Sequence, residues 1–260
     1  MNTVLKSQLA AGVLLLTLNR PEARNAFNHE MVREIRQSFE EASVDASIRV
    51  VVLDATEDHF CAGGDIEWMK GILAASVQQK RVYAEDILGM YKAVYSLPQP
   101  LVAHVKGNAM GGGLGLVCCA DVVVAENTSK FALSETRLGI VPAAISPFLV
   151  ASLGAKQATQ LALVGSVVDA QTAQDLGLVT HVSGADQGAK KLEEVMRSLL
   201  QGAPGAQRQT KALLRNVSAQ DPTETIYAKA VDALVYAWSQ AEAADGFSAF
   251  LDKTKPSWRK

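Results

Sequence analysis

The chain has 260 residues, 48% of them hydrophobic, enough for one large domain or for a core with an appendage. Its 25 basic and 27 acidic residues leave a formal charge of −2, so there is no global basic field to attract nucleic acid or an anionic membrane. The three cysteines include the adjacent pair Cys118 and Cys119, fit neither a disulfide framework nor a metal-site spacing, and point to a cytoplasmic protein.

The first apolar run, Ala10 to Leu18, is short and ends in Asn19-Arg20-Pro21. It reads as a strand over Gly12 to Leu18, neither signal peptide nor membrane span. Asn28 is placed to cap a helix carrying Met31, Val32, Ile35, Phe39 and Ala42 at helical spacing. Ile48 to Leu53 is almost wholly apolar, as expected for a strand covered on both faces. The glycine loop Cys61-Ala62-Gly63-Gly64-Asp65 follows. From Met69 to Leu97 the pattern is helical, with a small and polar middle at 74–80 that would border a pocket. Pro98-Gln99-Pro100 then punctuates the chain before a strand at Leu101 to Val105. A second glycine loop, Gly107 to Gly113, opens a short helix through Cys118, and Asp121 to Ala125 is the next strand. Beyond it, a helix from Pro204 carries Ala206, Thr210, Leu213, Leu214 and Val217. Asp221-Pro222-Thr223-Glu224 has the form of a capping box opening another, with Ile226, Ala230, Leu234 and Trp238 on one stripe.

Each glycine loop joins a strand-like run to a helix-like one and can present bare N–H groups at a helix N-terminus, where an oxyanion is favoured. Two such donors aimed at one point would form an oxyanion hole. A single glycine cluster carries little weight, because glycine also marks tight turns. A dinucleotide-binding fingerprint is excluded by Leu116 or Cys118 where its third glycine belongs, and a P-loop by the missing Gly-Lys-Ser/Thr.

Read together, Asn19-Arg20-Pro21-Glu22-Ala23-Arg24-Asn25-Ala26, Phe60 to Ile66, Gly107 to Gly113, Phe131 to Pro142 and Ala249 to Trp258 resemble the crotonase (enoyl-CoA hydratase/isomerase) superfamily. The resemblance covers essentially the whole chain. It implies an α/β fold, a spiral of repeated strand, strand, helix units over 1–200, with a helical region over 201–260 for oligomer contacts and active-site closure. It also implies a homo-trimer or a dimer of trimers. The substrate would be an acyl-CoA thioester whose carbonyl oxygen is held by the N–H groups of Gly64 and Gly112. Coenzyme A would belong to the substrate, with no separate cofactor and no metal. Ala26, Ala62, Asp65, Ile66, Trp68 and Gly115 would lie along the substrate, Arg24 would meet the CoA phosphates, and Lys253 would reach a CoA held by the same or a neighbouring subunit. Asp65 also reads as a helix cap, and His104 as a satisfied buried histidine.

Hydratases of this superfamily usually use two glutamates. One aligns with Glu135, whose carboxyl, facing an apolar pocket, should have a raised pKa suited to proton transfer. The other aligns with Gly115, which cannot transfer a proton. The run Leu133 to Phe148, with Gly113 to Leu116, resembles a bacterial subgroup that hydrates 3-branched glutaconyl-CoA esters in leucine and acyclic-terpene degradation, methylglutaconyl-CoA or isohexenylglutaconyl-CoA. Such an ester brings its own carboxylate, so a glycine at 115 would remove both charge repulsion and crowding of the branch. Arg137 is a candidate partner for that carboxylate. Two alternatives stand beside this reading: an isomerase working with Glu135 alone, and a catalytically silent acyl-CoA-binding protein.

Overall fold

A computed structural model describes residues 2–185, 187–218 and 224–259. In chain order the elements are β1 (Val4–Ala10), β2 (Val13–Leu18), α1 (His29–Val44), β3 (Val50–Ala55), α2 (Ile66–Ala74), α3 (Val77–Tyr95), β4 (Leu101–Val105), β5 (Asn108–Met110) and α4 (Gly112–Cys119). They continue with β6 (Val122–Glu126), β7 (Lys130–Ala132), α5 (Ser146–Val164), β8 (Val168–Asp169), α6 (Ala170–Asp175), β9 (His181–Ser183), α7 (Gly188–Leu200), α8 (Pro204–Ser218), α9 (Glu224–Trp238) and α10 (Ala241–Leu251). This is the expected α/β architecture of paired strands followed by a helix, with helices gathered at the C-terminal end.

Six strands form one sheet in the order β1-β2-β3-β4-β6-β9, parallel throughout except for the antiparallel hairpin β1-β2. The sheet is buried on both faces at its centre, which explains the unbroken apolar runs. Val51 and Leu53 of β3 enter a large core with Met31, Ile35 and Phe39 of α1 and with Met90 and Val94 of α3. Their neighbours Val50 and Val52 point the other way, into a second core closed by Leu192, Val195 and Met196 of α7. The hairpin strand β1 is absent from the sequence reading because only its first residue is buried, so no inward alternation marks it. Its turn is made by Gly12, at φ 75°.

The cap expected at Asn28 is present, its side chain accepting the Met31 N–H at 2.8 Å. The small and polar middle expected at 74–80 is the junction of two helices. Ser76 accepts the Gln79 N–H at 3.3 Å while Gln79 accepts the Ser76 N–H at 3.2 Å, a capping box that restarts the helix. The segment therefore has defined ends, set by side chains that also occur in loops.

A second sheet, β5-β7-β8, is short, with β5 and β7 parallel. The C-terminal helices are tied back to the main sheet. Arg49, just before β3, donates to the carbonyls of Leu200 and Gly202 at 2.9 and 2.8 Å and to that of Trp258 at 2.8 Å. Helix α8 turns its basic side to the core. Arg208 donates to the Ile48 carbonyl, Lys211 to Asp121 and the Gln99 carbonyl, and Arg215 to Asp121 while covering the Tyr95 ring. Of the residues expected on this helix, Ala206, Thr210 and Leu214 are exposed, while Leu213 and Val217 are half-buried. In α9, Ala230, Leu234 and Trp238 are exposed as well. The capping box at 221–224 and the Ile226 side chain lie outside the described residues. Among the described residues no helix is long and apolar enough to cross a membrane.

Candidate active site

Backbone hydrogen bonds weave four distant segments into one floor. Ala62 N–H donates to the Arg24 carbonyl (3.0 Å), Phe27 N–H to Gly63 (2.8 Å) and Asp65 N–H to Phe27 (2.8 Å). On the other side, Cys61 N–H donates to the Asn108 carbonyl and Met110 N–H to the Cys61 carbonyl, both at 2.9 Å. Gly111 N–H reaches the Ala132 carbonyl at 2.8 Å, which joins β7 and the segment leading to Glu135. The two glycine loops are thus neighbours because strand-like pairing holds them together. Gly111 has φ 48°, a conformation that side chains disfavour and that turns the chain into α4. A Cβ on Gly113 would fall 2.6 Å from Cys61 Cβ, so the close approach of α4 to the first loop also requires glycine.

Above this floor lies a cavity of about 350 Å³. Gly64 and Gly112 line it, and neither N–H donates to another group among the described residues. Gly112 opens α4, where the first-turn N–H groups have no intrahelical partner. The walls are apolar, from Ile72 and Leu73 of α2 to Leu138, Val141 and Ile145 before α5. Among the lining residues only Trp68, Tyr91, Ser134 and Glu135 bring hydrogen-bonding side-chain groups, and no Lys, Arg, His or Asp is present.

Glu135 begins a 3-10 turn, Glu135–Leu138, anchored to α5 by the Thr136 hydroxyl donating to the Ala162 carbonyl at 3.1 Å. Its Oε2 is buried without a hydrogen-bond partner, and burial raises the carboxyl above its ordinary range. A Cβ on Gly111 would lie 3.1 Å from its Oε1, so the carboxyl rests over the glycine turn. Cys61 is buried beneath the first loop, where burial pushes its thiol up to about 12, and Cys118 is likewise pushed to about 12. Both thiols are neutral near pH 7.

Gly115 is enclosed and does not line the cavity. A Cβ there would sit 2.8 to 2.9 Å from Cε1, Cζ and Oη of Tyr91, which reaches across from α3. The space beside Gly115 is therefore filled by an aromatic ring. Gly115, expected along the substrate with room for a branch, is outside the cavity lining and has no open space beside it. Tyr91 Oη donates to the Gly112 carbonyl at 2.8 Å, and its ring packs on Phe148, 5.8 Å between centroids. Burial first, then neighbouring acidic groups including Glu135, hold the Tyr91 phenol well above its ordinary value. Tyr91 escapes sequence reading because an aromatic at helical spacing reads as core; the only signal is a glycine in the helix it packs against.

The remaining candidates separate by position. Ala62 and Trp68 line the cavity. Arg24 is exposed beside it, bonded to Ala62 through its carbonyl. Ala26 is buried below the floor, with its carbonyl accepting from Arg20. Ile66 points outward, 71% exposed. Asp65 caps α2 by accepting the Glu67 and Trp68 N–H groups at 3.0 and 3.2 Å, and pairs with Arg20 at 3.0 Å. Ala26 and Asp65 thus support the site without bordering the cavity, and Ile66 lies outside it. Lys253 is exposed, and no described residue of 201–260 lines the cavity. Arg137 is also exposed, donating to the Val164 carbonyl at 3.2 Å outside the cavity. His104 is buried with Nδ1 3.2 Å from Asp54, yet its Nε2 is unpartnered, so it is only half satisfied.

Comparison with known families decides what such a floor belongs to, since the enoyl-CoA hydratase/isomerase family matches residues 8–260. The chain belongs to that family. Among its relatives in it, the 2,3-dehydroadipyl-CoA hydratase of Escherichia coli (strain K12) is 34% identical over 258 residues, covering 95% of each chain. The mevalonyl-coenzyme A hydratase sidH of Aspergillus fumigatus is 31% identical, covering 95% of this chain and 91% of that protein. Pseudomonas aeruginosa AtuE superposes with a TM-score of 0.94 at 39% identity, covering 99% of this chain and 100% of AtuE. The chain is thus an enzyme of the enoyl-CoA hydratase/isomerase family, and the described lining of its cavity holds one carboxyl, that of Glu135.

Proposed function

We propose that the protein hydrates the conjugated double bond of a 3-branched glutaconyl-CoA ester, methylglutaconyl-CoA or isohexenylglutaconyl-CoA, as required in leucine or acyclic-terpene degradation. The reading rests on one observation: an apolar cavity that, among the described residues, holds Glu135 as its only carboxyl beside two glycine N–H groups without a partner. The Gly64 and Gly112 N–H groups take the thioester oxygen, which gains negative charge as water adds at C3. Each such donor lowers the barrier by about 3–4 kcal/mol. Glu135 transfers the proton at C2. The apolar wall from Leu138 to Ile145, with the small residues Ala143 and Ala144, accommodates the branch. Among the described residues no cation lines the cavity, so in this reading the distal carboxylate extends toward solvent at the mouth. A carboxylate-bearing substrate accords with the name of the E. coli relative, a hydratase of a dicarboxylic CoA ester.

The single carboxyl also suits a double-bond isomerase, and a turnover panel separates the two. Crotonyl-, methylglutaconyl-, longer branched glutaconyl- and 3-enoyl-CoA esters are assayed for loss of enoyl absorbance and for solvent oxygen in the product. Hydration of the branched glutaconyl esters at the highest kcat/KM is expected. Migration of the double bond without oxygen incorporation would make the enzyme an isomerase, and binding without turnover would make it an acyl-CoA-binding protein.

A further inference from the structure

With one carboxyl in the cavity, the attacking water needs a second partner to hold its lone pair toward C3. We infer that Tyr91 holds this water, accepting a hydrogen bond from it at Oη, so that the tyrosine does the orienting work that a second acid at position 115 would do. The inference rests on the hydratase reading above.

Three observations carry it. First, Tyr91 lines the cavity and lies against Gly115, in the space a side chain there would need. Second, its own proton is committed to the Gly112 carbonyl at 2.8 Å, which leaves the lone pairs of Oη as its free hydrogen-bonding capacity. Third, the same hydrogen bond sets Oη beside Gly112, another residue of the cavity lining. Ser134 is the other hydroxyl in the lining, but it immediately precedes Glu135 on the same turn, whereas Tyr91 comes from α3. A phenol kept neutral by burial cannot itself take the proton.

The step balances with Glu135 as the only proton carrier. One O–H bond of water breaks, its oxygen bonds C3, and its proton passes to the Glu135 carboxylate. The double-bond electrons move onto the thioester oxygen as an enolate, which then collapses as Glu135 returns the proton to C2. The second O–H of the water stays hydrogen-bonded to Tyr91 throughout.

Tyr91→Phe keeps the ring against Gly115 and Phe148 while removing the hydroxyl. Two rates are compared: hydration of methylglutaconyl-CoA, and exchange of the C2 protons of a saturated acyl-CoA in deuterated water, which needs Glu135 and the oxyanion donors but no attacking water. The expected result is a fall of about 100-fold in kcat for hydration, with exchange within a few-fold of wild type. Glu135→Gln should lose both. Equal losses of hydration and exchange in Tyr91→Phe would overturn the inference, because Tyr91 would then act only by holding the Gly112 turn. Unchanged hydration would overturn it too. A wild-type enzyme that exchanges C2 protons but hydrates no ester would overturn the hydratase reading and the inference together.

Discussion

Glu135 is placed where its charge is costly, with Oε2 buried and unpartnered. Burial raises its carboxyl in the folded state, so the stability it contributes is full below the unfolded carboxyl pKa of about 4.3 and is lost as pH rises through the higher folded value. Glu135→Gln should therefore melt higher than wild type at pH 7, the difference shrinking as pH falls, while losing about 100-fold or more in turnover. Calorimetry with steady-state assays across pH checks both, and a variant less stable at pH 7 would contradict the burial argument. In the proposed hydration Glu135 acts on water as the carboxylate, so the acid limb of the wild-type rate profile should lie above the ordinary carboxyl range. Gly115→Ala drives a Cβ to within 2.8 Å of the Tyr91 ring in a fully packed site, and a loss of about 1–3 kcal/mol is expected in denaturant titration. Wild-type stability in that variant would mean the ring is free to move. At this scale the motifs of Glu135, Gly64 and Gly112 marked residues that the fold brings to one cavity. Tyr91 carried no such mark, because its partnership with Gly115 crosses two helices that no spacing rule connects.

The elements follow local chemistry where burial is two-sided and depart from it where it is not. Strands β3 and β4 lie on the apolar runs that announce them, within about two residues at the ends. Strand β1 has nearly all its side chains in solvent, and only backbone pairing with β2 makes it a strand. Helix α8 inverts the usual pattern, since its long basic side chains reach carbonyls and Asp121 across the core boundary. Asp65 shows how an element end supports the site: it caps α2 just after Gly64 and fixes Arg20. Burial alone would raise its carboxyl, but the Trp68 N–H, Arg20 and the Glu67 N–H outweigh that and hold it below the ordinary range. Its contribution is present above the unfolded pKa and is lost as pH falls through the lower folded value. Asp65→Ala should cost about 1 kcal/mol, with Asp65→Asn retaining most of the cap. Equal losses in the two variants at pH 7 would assign the effect to the Arg20 pair instead of the cap.

At the scale of the molecule, α9 and α10 leave large apolar side chains in solvent, among them Trp238, Phe247 and Phe250, the last 80% exposed. A monomer rarely leaves so many together. The trimer implied by resemblance would cover them, so Phe250→Asp should shift the sedimentation profile toward smaller species while an isolated subunit keeps its helical signal. An unchanged profile would remove that face from the assembly contact. The overall architecture was legible from the order of runs and glycine loops, but how the loops meet was not, since strand-like pairing between 61–63 and 108–110 leaves no mark in either segment alone. That pairing also makes the site a gauge of the whole fold. Its floor is stitched from residues 24–27, 61–65, 108–111 and 132, four segments far apart in the sequence, so it forms only when all of them are folded together. Activity and global structure should disappear at the same denaturant concentration, so catalytic assays on this enzyme report its folding as faithfully as its chemistry.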